Sequence, residues 1–376
     1  MPSIRILHTA DNHLGLQFTS RRYPDELRRR LINERFEALE RAVNVANQRQ
    51  AHLFAVAGDL FDSVAVSKRD IDRAVSILHS FNGSHAIVLP GNHDFYEPGD
   101  AKLWGKFRQA FGEGNLVLLD RPEPVRLSVE DRDIVLFPGP CMSKTSADNA
   151  IGWIAVAEKN AAALNIGIAH GCVVGISPDA DDRYFKMTEE ELRAAGVRFW
   201  LLGHTHLRFP REPLTRNPQF LIPATHTPDG FDCDHEGYVW SIEVDEDGDV
   251  HAESIRTGGF RFHDWSRRLV DPGDLERIAK ECSTLDGPRT LMKLALDGRI
   301  AEEDFPSIEQ LRERLEQSLA YVELDTDGIG VRVDREYVER HFTAGSLPSR
   351  LLLALASSGD DLALHLAHEL IREAKQ

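Results

Sequence analysis

Five short blocks of this 376-residue sequence combine carboxylates, imidazoles and an amide at spacings that could hold metal ions. In chain order the blocks are Asp11-Asn12-His13, Gly58-Asp59-Leu60-Phe61-Asp62, Gly91-Asn92-His93-Asp94, Ala169-His170-Gly171 and Gly203-His204-Thr205-His206. Residues two apart in an extended chain point to the same face, so Asp11 and His13 can reach one point, as can His204 and His206. This mixed set of nitrogen and oxygen donors suits manganese, iron, zinc or cobalt better than magnesium or calcium.

The number of candidate ligands predicts a pair of ions. Seven ligands are too many for one ion, but they suit two ions that share a bridging carboxylate. Ions about 3.5–4 Å apart are a recurrent device for breaking phosphate esters, because they bind phosphoryl oxygens and lower the pKa of a bridging water. The blocks therefore predict a phosphoester hydrolase. The alternative is a non-catalytic protein that has kept only the fold. Such a protein would be expected to have lost some of the metal ligands, whereas all seven are present here.

Each block follows a segment whose pattern predicts a β-strand. These apolar segments lie at residues 4–9, 53–57, 86–89, 166–169 and 199–202. The spacing of apolar residues predicts helices at residues 24–48, 68–80, 101–111, 147–164 and 188–195. Ligands in open α/β sheets gather outside the carboxyl ends of strands, which is where the blocks lie. Two further hairpins, at residues 125–137 and 238–256, complete a pattern that predicts sheets sandwiched between helices.

The order of the blocks resembles the calcineurin-like metallophosphoesterases, whose pattern runs DxH, GDxxD, GNHD or GNHE, H and GHxH. The resemblance covers residues 1–265 and implies an α/β fold, a four-layer αββα sandwich. It implies that one metal is held by Asp11, His13, Asp59 and His206. Asp59 would bridge to a second metal, whose other ligands would be Asn92, His170 and His204.

The resemblance also implies catalytic roles for His93 and Asp62. His93 matches the histidine that contacts the phosphate and protonates the leaving oxygen, and Asp62 matches the carboxylate that orients this histidine. Two dications lower the pKa of a neighbouring imidazole, and a carboxylate partner raises that pKa again. The alternative for Asp62 is that it caps a helix N-terminus.

A change of pattern near Asp271-Pro272-Gly273 predicts a second part of the chain. A helix, a strand, a helix and a pair of strands are predicted at residues 274–282, 289–296, 307–318, 320–324 and 329–333. The predicted domains are a phosphoesterase domain at residues 1–268, a smaller α+β capping domain at 269–345 and leucine-rich C-terminal helices at 346–376.

Within the superfamily, residues 7–18 and 55–62 resemble the DNA repair exonucleases of the SbcD type. This resemblance implies a manganese-dependent DNA exonuclease or endonuclease that acts at DNA ends or on single strands. Between the first two blocks lie arginines that could contact the DNA backbone: Arg21, Arg22, Arg28, Arg29 and Arg30. The alternative is a solvated helix start whose charge is balanced by Asp25 and Glu26.

The same resemblance implies protein partners. Such nucleases work with an SMC-like coiled-coil ATPase, on which the C-terminal helices could dock; packing on the chain's own capping domain is the alternative. The helix at residues 68–80 could form a homodimer face, although core packing explains its apolar stripe equally well.

The composition limits the class of partner and substrate. The sequence has 44 basic and 61 acidic side chains, a net charge of −17, which excludes binding of nucleic acid by bulk positive charge. The acidity favours an alternative function, a small-molecule phosphodiesterase or nucleotide hydrolase with the same centre. Apolar runs are far shorter than the ~20 residues that span a bilayer. The first residues show no signal-peptide pattern and the four cysteines no CxxC motif, so we expect a cytoplasmic protein with reduced thiols.

Overall fold

The computed structural model describes residues 3–178, 183–271 and 273–374, and Pro272 of the predicted break lies outside them. The chain divides into two compact units, Met1–Arg261 and Phe262–Gln376. The first unit carries all five sequence blocks. The division of the second unit into a capping domain and docking helices stays a prediction.

The strands of the first unit are short and the helices between them cover the sheets. The strands are β1 (Ile4–Thr9), β2 (Leu53–Ala57), β3 (His85–Leu89), β4 (Leu116–Leu118), β5 (Val125–Val129), β6 (Arg132–Gly139), β7 (Leu164–His170), β8 (Phe199–Gly203), β9 (Arg208–Phe209), β10 (Leu214–Arg216), β11 (Phe220–Pro223), β12 (Tyr238–Val244) and β13 (Val250–Arg256). The helices are α1 (Asp25–Gln48), α2 (Lys68–His79), α3 (Leu103–Phe111) and α4 (Glu189–Ala194), with a 3₁₀ helix at Gly152–Val156.

Two sheets carry these strands within the described part of the unit. One has the order β10-β13-β12-β1-β2-β3-β4 and the other β5-β6-β7-β8-β11-β9. Strands β1 to β4 run parallel in the first sheet, and β6, β7, β8 and β11 run parallel in the second. Because parallel strands end at the same edge, the loops after β1, β2 and β3 lie side by side, as do those after β7 and β8.

Three apolar layers hold the unit together. Side chains of both sheets, among them Ile6, Ile168 and Trp240, form the layer between the sheets. Helices α1, α2 and α3 bury their apolar faces on the first sheet. The 3₁₀ helix and α4 cover the second sheet. The result is helix, sheet, sheet, helix, which confirms the predicted αββα fold.

The helix predicted at residues 147–164 is wrong. Only the 3₁₀ turn Gly152–Val156 forms there. Asn149 Oδ1 accepts a hydrogen bond from the backbone N–H two residues further on, at 3.1 Å, and Asn160 Oδ1 does the same at 3.1 Å. Such local side-chain bonds compete with helical bonds and favour turns.

The second unit is an α+β fold followed by a helical cluster. Its strands are β14 (Arg261–Leu269), β15 (Thr290–Ile300) and β16 (Tyr321–Val331), and its helices are α5 (Asp274–Cys282), α6 (Phe305–Ser318), α7 (Arg335–His341), α8 (Leu347–Ser358) and α9 (Asp361–Glu373). Side chains of α5 and α6 pack on the sheet β14-β15-β16, and α7, α8 and α9 form their own apolar cluster. The strand pair predicted at residues 320–324 and 329–333 is wrong, because β16 continues through Gly328 beside the equally long β15.

The packing between β7 and β8 generates a stability prediction. Gly167 pairs with Trp200, and a Cβ on Gly167 would lie 2.3 Å from the indole ring. Since Trp200 is buried and its Nε1 donates to Leu192 O, the ring cannot move without cost. We expect Gly167→Ala to lower the free energy of unfolding by about 1–3 kcal/mol, measured by urea denaturation with tryptophan fluorescence.

The matched control is Gly152→Ala. An added Cβ there meets only Asn149 Oδ1, at 3.6 Å, so we expect a change within about 0.5 kcal/mol. Equal stabilities of the two variants would contradict this account of the β7–β8 packing.

Candidate metal centre

The loops that follow β1, β2, β3, β7 and β8 bring the five sequence blocks together. The loop after β1 is tied to the loop after β2, since Asp11 N donates to Gly58 O at 3.1 Å and His13 N donates to Asp59 O at 2.9 Å. The loop after β8 joins them, because His204 N donates to both carboxylate oxygens of Asp11 at 3.0 Å. The candidate ligands therefore share one location at the carboxyl edge of both sheets.

The backbone at this location takes conformations that side chains other than glycine rarely adopt. Asp11, His13, Asp59 and His204 have φ values of 52°, 43°, 51° and 93°. Such conformations cost of order 1–3 kcal/mol each and persist where the surrounding structure enforces them, often at functional sites. Here they turn side chains from neighbouring strand ends toward a common point.

Two glycines let the loops approach closely. A Cβ on Gly58 would lie 2.0 Å from Nδ1 of His170, and a Cβ on Gly91 would lie 2.2 Å from a carboxylate oxygen of Asp59. Both distances are far below van der Waals contact, so only glycine fits. The glycines of the sequence blocks therefore make room for candidate ligands from other strands.

The first cluster consists of Asp11, His13, Asp59 and His206. His13 Nε2 and His206 Nε2 lie 3.2 Å apart. Asp11 Oδ1 lies 3.8 Å from His206 Nε2, and Asp59 Oδ2 lies 3.8 Å from His13 Nε2. Four potential ligand atoms thus surround one small volume.

The second cluster consists of Asp59, Asn92, His170 and His204. Asn92 Oδ1 lies 3.0 Å from His170 Nε2 and 3.0 Å from His204 Nδ1. Asp59 Oδ2 is 3.2 Å from His170 Nε2. The same carboxylate oxygen therefore faces an imidazole of each cluster, which is the position that a bridging ligand requires.

The electrostatics of the two clusters fit divalent cations. Burial lowers the pKa of His170, but the charge and hydrogen bond of Asp59 outweigh it and raise that pKa to about 9. Burial likewise raises the pKa of Asp59, but the imidazoles of His170 and His13 hold it below its usual range. His170 Nδ1 lies 2.9 Å from Ala57 O and donates to it, so Nε2 is the atom left for a ligand bond. Without cations, the carboxylate, amide and imidazole atoms that face one another in the two clusters must share protons. Bound cations would take the place of those protons.

Asp62 contacts His93 differently from the sequence expectation. His93 Nδ1 donates to the backbone carbonyl of Asp62 at 3.0 Å, whereas the Asp62 carboxylate lies 3.5 Å from His13 Nδ1. The expected carboxylate–histidine pair is therefore corrected to a carbonyl–histidine pair. The reason is backbone geometry: the turn after β2 points the Asp62 side chain toward the loop after β1. His93 remains half-buried beside the clusters, and its main-chain N–H donates to Asp59 Oδ1 at 2.8 Å.

Sequence reasoning assigned no role to three ionisable residues of the site, Asp94, Arg35 and Asp229. Asp94 accepts hydrogen bonds from Gly91 N at 2.7 Å and Phe61 N at 3.0 Å, so it fixes the loops after β2 and β3 to each other. Arg35 on α1 lies beside Asp229, and Asp229 lies beside Nδ1 of His206, a member of the first cluster. For Arg35 a signal existed, because a charged residue occupies the apolar i, i+4 stripe of α1.

The arginines expected to bind DNA make other contacts in the structure. They are Arg21, Arg22, Arg28, Arg29 and Arg30. Arg28 pairs with Asp25 at 2.8 Å, and Arg29 Nε donates to Asp25 O at 3.3 Å. Two of the others lie over aromatic rings, 4.8 and 5.2 Å from the ring centroids. None of the five is among the described residues that line the cleft at the metal centre.

A cleft of 970 Å³ opens over the two clusters. His93 lines the cleft together with members of both clusters. Its other walls include three basic side chains, Lys144, Arg208 and Arg211. They also include three acidic side chains, Asp232, Asp234 and Glu236, and two aromatic ones, Tyr184 and Tyr238. The volume suits a substrate of nucleotide size or an extended chain that passes through.

Within the residues that the structure describes, no helix combines the length and apolarity needed to cross a membrane.

Known proteins share the part of the chain that carries this centre. Residues 4–208, more than half of the chain, match the calcineurin-like phosphoesterase family. An uncharacterized metallophosphoesterase of Bacillus subtilis, YhaO, is 24% identical over 286 residues, which cover 72% of this chain and 64% of the relative. The DNA double-strand break repair protein Mre11 of Methanosarcina acetivorans is 32% identical over 143 residues, 34% of this chain and 22% of that protein. The chain thus spans less than two thirds of either relative.

A dimetal phosphatase of Danio rerio is similar in structure, with a TM-score of 0.38 and 13% identity over 68% of this chain and 100% of the phosphatase. The family match covers β1 to β8, the strands whose ends carry both clusters. From this match and from the donor set at those strand ends we conclude that the chain belongs to the calcineurin-like phosphoesterase family, hydrolases with a dinuclear divalent metal centre.

Proposed function

We propose that this protein is a manganese-dependent nuclease that hydrolyses phosphodiester bonds at DNA ends or in single strands during DNA repair. The observation that carries the proposal is the convergence of the two clusters on Asp59 beneath an open cleft. The similarity of 143 residues to Mre11, a protein named for double-strand break repair, supports DNA as the substrate. The mixed nitrogen and oxygen donors suit manganese, iron, zinc or cobalt, and the resemblance to SbcD-type nucleases favours manganese among them.

The side chains have distinct proposed roles. Asp11, His13, Asp59 and His206 would hold one ion, and Asn92, His170 and His204 would hold the second with Asp59. Divalent cations at these positions supply positive charge for the phosphoryl oxygens and lower the pKa of water.

His93 would donate the proton that the departing sugar oxygen needs. The carbonyl of Asp62 accepts from His93 Nδ1, which leaves Nε2 as the atom that faces substrate. Ring nitrogens of His13 and His93 and a carboxylate oxygen of Asp62 lie within 4.8 Å of one another. The Asp62 carboxylate therefore remains the group that we propose to assist His93, through its negative charge.

Positive charge for the DNA backbone would come from the cleft itself. Lys144, Arg208 and Arg211 line its walls, whereas the arginines at the start of α1 do not. Tyr238, with the Arg208 guanidinium 4.5 Å from its ring centroid, and Tyr184 offer flat faces on which unpaired bases can stack. This arrangement supports single-stranded DNA over an intact duplex.

A coiled-coil ATPase of the SMC type remains the partner that we propose. Helix α9 exposes Leu362, Leu366 and Leu370 at intervals of four residues, and α8 exposes Leu347 and Leu351. An apolar stripe at this spacing is the surface that a helix of a coiled coil recognises. By contrast, the apolar stripe of α2 packs in the core of its own unit, so the proposed homodimer would have to use another surface.

Substitution of the proposed proton donor separates catalysis from metal binding. We expect His93→Ala to lower kcat by about 10²- to 10⁴-fold with both metals retained. The main-chain N–H that contacts Asp59 survives the change. Steady-state kinetics and metal analysis of the same preparation measure the two effects. His251→Ala, on the exposed surface of β13, is the control. Loss of metal from His93→Ala would show that His93 is a ligand.

The shared position of Asp59 makes a second prediction. We expect Asp59→Asn to lower the metal affinity of both positions. Removal of a group that only hydrogen-bonds to a ligand lowers metal affinity by about 10-fold, and we expect a larger loss at each position here. Manganese titration calorimetry measures both affinities. Asp232→Asn, which removes a carboxylate of the cleft wall outside the clusters, is the control. Weakening of a single position would remove the bridging role.

The choice of substrate is tested with the wild-type protein and manganese. We expect cleavage of linear single-stranded DNA, seen as shortened products on a gel, and no cleavage when manganese is replaced by a chelator. A chromogenic phosphodiester provides the comparison. Hydrolysis of this small ester without any cleavage of DNA would replace the nuclease proposal by the small-molecule phosphodiesterase.

A further inference from the structure

A fully buried guanidinium holds the loop that carries two members of the first cluster. Arg35, on α1, donates from Nε to Asn12 O at 2.6 Å and from Nη2 to Asp11 O at 3.1 Å. Its side chain has no exposed surface. Because the loop has left-handed residues at Asp11 and His13, its carbonyls point inward and need donors. Arg35 supplies two of them at once.

The same guanidinium faces the carboxylate of Asp229. Arg35 Nη1 lies 3.6 Å from Asp229 Oδ2, and that oxygen lies 3.6 Å from His206 Nδ1. Asp229 thus lies between a guanidinium and an imidazole, and one of its oxygens faces both groups. An ionised carboxylate behind Nδ1 keeps the proton on that atom and directs Nε2, as a lone pair, toward the cluster.

The loop that carries Asp229 is itself anchored on α1. His226 Nε2 donates to the carbonyl of Arg35 at 2.6 Å, and Thr227 Oγ1 donates to Glu34 Oε1 at 3.2 Å. Glu34 Oε1 also accepts from Gly259 N at 2.7 Å. The backbone that precedes Asp229 is thus fixed on α1 by contacts other than the ion pair of Asp229.

The two clusters differ in what lies behind their histidines. In the first cluster, Asp229 lies behind His206 and the Asp62 carboxylate lies 3.5 Å behind His13. In the second cluster, His170 donates instead to the neutral carbonyl of Ala57. A carboxylate increases the electron density on an imidazole ligand more than a carbonyl does, so His13 and His206 are stronger donors than His170.

We propose that Arg35 and Asp229 are positioning residues that raise the affinity of the first cluster for a divalent cation, acting through Asp11, His13 and His206 without touching the cation. The proposal rests on the proposed metal-binding role of the two clusters. It predicts that the two positions fill in sequence, the first cluster before the second.

The test is a manganese titration of the metal-free full-length protein by calorimetry. We expect two separate affinities for the wild type. Asp229→Asn is nearly isosteric, and we expect it to weaken the tighter position by about 10- to 100-fold and to leave the weaker one unchanged. The matched control is Asp247→Asn, which removes the same charge from the turn after β12. This turn follows Val244, which pairs with Ile4, and Ile4 is at the opposite end of β1 from Asp11. We expect Asp247→Asn to change neither affinity.

Combined variants distinguish a positioning role from a general loss of structure. In a His206→Ala background, Asp229→Asn should cause no further loss, because the imidazole through which Asp229 acts is gone. In an Asn92→Ala background, which disables the second cluster, the full effect of Asp229→Asn should persist. Arg35→Lys should retain part of the affinity that Arg35→Met loses, because lysine keeps the charge but not the fork of donors.

Equal weakening of both positions by Asp229→Asn, or the same further loss in both backgrounds, would overturn the proposal. Two equal affinities in the wild type, or no manganese binding, would also overturn it. Circular dichroism of each variant establishes that it is folded. The readout requires no DNA, so a wild type that binds manganese in two steps but cleaves no DNA would refute the proposed nuclease and leave this inference intact.

Discussion

The burial of lone pairs and carboxylates at one edge of two sheets is the constraint on which the rest of the first unit depends. Asp11, Asp59, Asn92 and His170 are all less than 3% exposed. Their side chains face one another, the neighbouring imidazoles and the main-chain N–H groups of His93 and His204. An ionised carboxylate in such surroundings is strongly unfavourable unless it is paired, protonated or bound to a metal. The centre is therefore stable only together with cations or with protons that take their place.

The fold meets this constraint with backbone rather than with extra side chains. Left-handed turns at four candidate ligands rotate them inward, and Gly58 and Gly91 let the loops approach one another. Asp94 then fixes the loops after β2 and β3 through two main-chain N–H groups. The positions of these loops are set by parallel strands whose buried faces are largely apolar. Hydrophobic packing of the sheets supplies the free energy that keeps the strained loops in place.

The sequence predicts the strand ends well and the connections poorly, for physical reasons. Apolar runs that end in polar blocks depend only on local pattern, so all five strands before the blocks are found in the structure. Asp62 shows the limit, because which atom of a residue reaches His93 depends on the turn and not on the residue type. Arg35 and Asp229 lie nearly 200 residues apart and meet only through the tertiary fold. Strands β9 to β11 are only two to four residues long, so their pattern is too brief to detect.

The net charge of the chain does not decide between DNA and a small substrate. Long-range repulsion from a charge of −17 is screened over about 8–10 Å at physiological ionic strength, whereas a bound phosphate lies within a few ångströms of its contacts. At that range the cleft presents Lys144, Arg208 and Arg211 and two positions for dications. Its acidic residues lie on the same walls, so a strand must enter with its backbone toward the metal centre. In the proposed nuclease, an acidic surface with a cationic centre would lower the affinity for DNA in general and retain it for the phosphodiester that reaches the two clusters.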